Sequence, residues 1–137
     1  MEIDLTNSEL FKSFAEFELE DLHIDLHNEF DCDAIDFSSS KKQLTLSFKP
    51  NKYCKSELKG VEVVFDGCTI ERYCSKLDTT NTDSGTLDIM YRGKFEIGNG
   101  ELGEISPAGL YYYYINFLPD ADFELFARSV KAKVNLI

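Results

Sequence analysis

The sequence predicts a mainly β protein: an antiparallel sheet, strongly curved into a half-barrel or folded as a two-layer sandwich, with one short N-terminal helix packed on it. Three observations carry this expectation. From residue 30 onward apolar and polar residues alternate, as in Leu44-Thr45-Leu46-Ser47-Phe48, a period of two that turns one strand face to a core. Asp66-Gly67 and Asn99-Gly100 are residue pairs that accept the positive φ angles of tight hairpin turns. The connections between strand-like runs are too short to hold crossover helices, which leaves antiparallel pairing. A chain of 137 residues suits a single domain, here a helix over 7–18 followed by a β domain over 22–137.

The helix rests on Thr6 and Glu9, spaced as a capping box, and on Leu10, Phe11, Phe14 and Phe17, which recur at three- to four-residue intervals. Leu22 to His27 alternates and reads as an edge strand. Ala34 to Phe37 and Leu44 to Phe48 flank the small polar residues Ser38, Ser39 and Ser40 of a hairpin connection. Residues 49–59 read as a lysine-rich loop. Val61 to Phe65 is expected to pair with Cys68 to Tyr73 across Asp66-Gly67, and Lys94 to Gly98 with Glu101 to Ile105 across Asn99-Gly100. Ser75 to Gly85 reads as a long polar loop. Leu110 to Leu118 is the most strand-like run, and Pro119-Asp120 turns it into the last stretch, where the alternation changes phase; a bulge at 126–129 would reconcile the two halves.

Charge is distributed unevenly. Residues 1–36 hold twelve acids against the single base Lys12, while the remainder balances, so the net charge of −11 resides in the first quarter of the chain. Such a field repels nucleic-acid phosphate and anionic lipid and favours a basic protein partner. Glu16, Glu18, Glu20, Asp21, Asp25, Glu29, Asp31 and Asp33 are the candidate steering acids. Tyr111 to Tyr114 places two phenols on each face of one strand, and Tyr112 and Tyr114 are candidate docking anchors if exposed. Lys41, Lys42, Lys49, Lys52, Lys55 and Lys59 read as a phosphate-binding patch, as neutralising part of the acidic field, or as supporting self-association.

His23, Asp25 and His27 share one strand face and are the only arrangement with metal-ligand character, although their spacing is wide for one ion; two half-exposed histidines on an amphipathic edge are the expected outcome. The acids around 31–36 and the run Asn81 to Gly85 lack the Gly and Glu positions of a calcium loop. Cys32, Cys54, Cys68 and Cys74 include no Cys-x-x-Cys pair and read as reduced thiols. The acidic start lacks a secretory signal and no apolar run reaches membrane length, so a cytoplasmic location is expected. No phosphate loop, nucleophile elbow or zinc-protease motif is present, and neither an enzyme nor a cofactor is the expected reading.

The stretches His27 to Phe37, Leu44 to Phe48, Val61 to Cys68, and Tyr111 to Phe117 with its partner through Val134 resemble small immunity-like β domains of bacterial polymorphic-toxin systems, over most of residues 25–134. The resemblance implies a catalytically inert cytoplasmic protein that masks a toxin by binding it, and it carries no contact residue across. The expected function is therefore a protein-binding module of the immunity type, directed at a basic toxin. The alternatives are a small-molecule-binding β domain with an aromatic-lined pocket and an accessory domain of unknown role.

Overall fold

The computed structural model describes residues 1–75 and 85–137; all of the run Asn81 to Gly85 but its last residue, and most of the expected polar loop, lie outside them. The described residues form thirteen strands and no helix. In chain order these are β1 (Glu2–Asp4), β2 (Glu16–Leu19), β3 (Leu22–Asp25), β4 (Phe30–Ser38), β5 (Gln43–Pro50), β6 (Leu58–Asp66), β7 (Thr69–Ser75), β8 (Thr86–Gly93), β9 (Phe95–Gly98), β10 (Glu101–Gly103), β11 (Tyr111–Leu118), β12 (Ala121–Ala127) and β13 (Ser129–Leu136). A five-stranded sheet has the order β1-β13-β6-β5-β4 and a four-stranded sheet the order β7-β12-β11-β8, with β2-β3 and β9-β10 as separate hairpins. Every named pair is antiparallel.

The N-terminal helix is absent, which corrects the expectation over 7–18. Residues 10–14 instead run beside β8 as an irregular strap that turns at Phe11 (φ 61°): Phe11 N–H donates to Arg92 O at 2.8 Å and Phe14 N–H to Met90 O at 2.7 Å, while Met90 N–H donates to Ser13 Oγ at 3.2 Å. A helix would satisfy only its own backbone and leave the β8 edge unpaired, whereas this strap satisfies both. The Arg92 guanidinium adds a bond to Ser8 O at 2.9 Å. The apolar stripe divides accordingly, with Phe14 and Phe17 buried and Phe11 61% exposed. Thr6 does not cap a helix; its hydroxyl accepts from Val130 N–H at 3.0 Å.

A strongly curved half-barrel is also corrected. Neither large sheet closes, and each ends in a strand with one partner, β1 and β4 in the larger, β7 and β8 in the smaller. The chain instead passes from sheet to sheet at two adjacent corners. β6 pairs with β13 and β7 with β12, so the segments on either side of Asp66-Gly67 belong to different sheets and do not pair as the expected hairpin. Gly67 has φ +60° and its α-carbon faces the Arg128 side chain; Arg128 N–H donates to Asp66 O at 2.8 Å and ties the two corners together. The phase change expected as a bulge at 126–129 is the second corner, where β12 gives way to β13. The Asn99-Gly100 hairpin forms as expected, with φ of 53° and 76°.

The inner faces of both sheets meet in one core. Leu44, Leu46, Val63, Phe65, Val130 and Ala132 come from the five-stranded sheet, and Leu87, Met90, Tyr113, Ile115 and Leu125 from the other. Tyr113 sits between them: its ring lies 5.4 Å from that of Phe65 and its hydroxyl donates to Thr6 O at 3.0 Å, so this buried phenol is satisfied. All four cysteines are free, and burial pushes the Cys68 thiol up to about 12.

Candidate functional site

Three surfaces carry the candidate residues. On the β2-β3 hairpin, Glu16 lies directly across from Asp25 and Glu18 across from His23. These four therefore share one face, while Phe17 and Ile24 on the other face are buried. Two carboxylates opposite one another are unfavourable, and the His23 ring offsets this, with Nε2 2.7 Å from Glu16 and Nδ1 in contact with Glu18. The hydrogen bond to Glu18 is the main cause that raises the His23 pKa above its ordinary 6.5. Glu20 and Asp21 form the exposed turn of the hairpin. Asp21, Asp25 and Glu29 line a shared concavity with His23, Tyr53 and Lys55.

The remaining acids diverge from this face. Asp31 and Asp33 are exposed on β4, where Asp33 forms an ion pair with Lys49 at 3.1 Å. Thus the β2-β3 hairpin collects acids, while β4 has part of its charge offset by β5. His23, Asp25 and His27 do not converge. His23 holds Glu16 and Glu18, Asp25 accepts from Asn28 N–H and Nδ2, and His27 Nδ1 donates to Leu87 O at 2.6 Å. No group of three metal-ligating side chains is present among the described residues.

The second surface is the outer face of the four-stranded sheet. Tyr112 and Tyr114 point out to it and are half-buried. Tyr112 OH donates to Glu124 at 2.6 Å and Tyr114 OH to Asp122 at 3.2 Å, and Arg72 from β7 bridges the two acids, at 2.5 Å from Glu124 and 3.3 Å from Asp122. Burial, then the neighbouring Glu124, pushes the Tyr112 phenol up; the same phenol, then Arg72, holds Glu124 below its ordinary value. The hydroxyls of both tyrosines are thus engaged within the protein. Sequence reasoning missed Arg72, Asp122 and Glu124, because only the β7-β12-β11 register brings them together.

The third surface is an apolar cleft of about 220 Å³ lined by Cys32, Ile35, Tyr73, Gly85, Phe117, Leu118 and Ala121. It opens where β4 passes the ends of the four-stranded sheet. Cys32 N–H donates to Gly85 O at 2.9 Å there, and Leu118 and Ala121 flank the β11-β12 turn. The Tyr73 ring stacks on Phe123 at 4.5 Å yet the residue stays 53% exposed. Burial pushes the Cys32 thiol up to about 12, so it is an inert lining group at neutral pH. Among the described residues that line this cleft none carries a charge. The alternation of β4 signals Ile35 but cannot show that the facing sheet leaves it uncovered.

Comparison of the chain with protein-family models, curated proteins and solved structures finds no match.

Proposed function

We propose that this chain is a non-catalytic binding domain that takes a small apolar ligand, or the apolar end of a larger one, into the cleft between β4 and the end of the four-stranded sheet. The observation that supports it is the lining itself, which among the described residues comprises two aromatic rings and three aliphatic side chains with no charge. Apolar walls partly open to water favour a ligand that removes them from solvent, at about 25 cal/mol per Å² covered. The test uses Nile red, a neutral apolar probe, followed by fluorescence. Wild type is expected to bind it saturably. Ala121→Leu, which fills the cleft from a buried position, and Tyr73→Ser, which removes an exposed wall, are expected to abolish the signal while circular dichroism shows both variants folded. Equal binding by both folded variants refutes the reading.

A second reading, docking of a basic protein such as a toxin, is supported by the shared face of Glu16, Glu18 and Asp25. It expects a basic partner that is captured from native lysate at low ionic strength and released as salt rises. Capture must fall in the triple variant Glu16→Gln/Glu18→Gln/Asp25→Asn; capture unchanged by these substitutions removes it.

A further inference from the structure

The edge of β4 has an unusual combination of features. β4 is nine residues long and terminal in its sheet. On its outer side, among the described residues, the backbone partner is Gly85 O, reached by Cys32 N–H. A register shift between Cys32 and Ala34 then interrupts the ladder, and the Asp33–Lys49 ion pair sits beside it; a bulge and a charge are the usual devices that blunt an edge. Beyond them, from Ala34 to Ser38, the strand is regular again.

In that regular part Ile35 and Phe37 are in register with Leu46 and Leu44. Those two leucines are fully buried, yet Ile35 is 43% and Phe37 45% exposed. Side chains of one strand face point to one side of the sheet, so Ile35 and Phe37 belong to the core side and are left uncovered at its rim. Ile35 is also a wall of the apolar cleft. Asp36, on the opposite face, and Asp31 and Asp33 nearby are exposed acids.

We propose that the edge of β4 from Ala34 to Ser38 accepts an added strand from a polypeptide partner, an extended segment of alternating basic and apolar residues. The inference rests on the cleft reading, since the cleft would receive an apolar side chain of that strand. Main-chain pairing with this edge, which from Ala34 to Ser38 has no outer backbone partner among the described residues, gives the attachment, as in strand addition generally. Apolar side chains on the core side cover Ile35 and Phe37, and basic ones on the other side meet Asp36 and Asp33. Charge selects this occupant over a second copy of the chain, because antiparallel self-pairing would bring the aspartates of two β4 strands together in a molecule already at −11.

The experiment titrates the full chain with a short capped peptide alternating lysine and valine, followed by amide NMR shifts and hydrogen exchange. Saturable binding with new protection at residues 34–38 is expected. Ile35→Lys/Phe37→Lys, at exposed positions, is expected to weaken binding by about tenfold or more with Tm retained. Asp33→Lys/Asp36→Lys is expected to switch preference to the matching glutamate–valine peptide. Amides of 34–38 already protected in the free protein overturn the proposal, as does a β4-mediated dimer or peptide binding indifferent to both variants. Nile red separates the two readings: probe binding lost in Ala121→Leu without any peptide binding leaves the cleft standing and removes the added strand, whereas no probe binding removes the cleft.

Discussion

The outer face of the β2-β3 hairpin and the outer face of the four-stranded sheet both hold two or more carboxylates around one nitrogen base, and they differ in what that base is. On the hairpin it is His23, between Glu16 and Glu18 and exposed with them. On the sheet it is Arg72, and two half-buried tyrosines donate to the same acids. An arginine stays charged across the accessible pH range, and phenols fix the acids further. The sheet network therefore keeps its cation at every accessible pH, while the base of the hairpin face titrates, with its pKa raised above 6.5.

The largest effect separating the two regions is expected from removing one acid in each. Glu124→Ala strands the Tyr112 hydroxyl and one contact of Arg72, and a loss of about 1–2 kcal/mol is expected in chemical unfolding. Glu18→Ala, an exposed hairpin residue, is expected to stay within about 0.5 kcal/mol. Equal costs would erase the distinction. Next, Tyr112→Phe removes only the bond to Glu124 and should cost about 1 kcal/mol, measurable as a shift in the denaturant midpoint at unchanged slope.

pH gives the finest discrimination. The His23 pKa is raised in the folded state, so its contribution is fully present below the ordinary value of 6.5 and is lost as pH rises through the higher folded value. Glu124 is lowered, so its contribution is present above the ordinary carboxylate value and is lost as pH falls through the folded one. Unfolding curves should show a small decline in stability as pH rises above 6.5 that His23→Gln removes and Glu124→Gln keeps. An NMR titration placing the His23 midpoint at or below 6.5 would contradict the ion-pair geometry.

Much of the β architecture was legible locally. Leu44, Leu46 and Phe48 alternate and are buried, as are Val130, Ala132 and Val134. Asn99-Gly100 declared its hairpin because the turn depends on those two residues alone. Asp66-Gly67 misled for the same reason: a glycine at positive φ serves a hairpin and a corner between sheets equally well, and the choice depends on whether β7 finds β12. Leu10, Phe11, Phe14 and Phe17 carry a helical spacing, but the unpaired edge of β8, distant in sequence, offered that segment hydrogen bonds that a short helix could not match. Of the candidate acids, Glu16, Glu18 and Asp25 are grouped by a local hairpin, whereas the pairing of Asp33 with Lys49 follows from the β4-β5 register.

By itself the sequence determined that this chain forms antiparallel strands around an aromatic and aliphatic core, and that its negative charge is concentrated in the first quarter, because alternation and composition act over a few neighbouring residues. Only the tertiary structure decided which strands meet, where the chain turns from one sheet to the other, and that Ile35, Phe37 and Tyr73 remain at an uncovered rim. Those outcomes depend on backbone groups and apolar faces far apart in sequence competing for the same partners, and no local pattern records which one prevails.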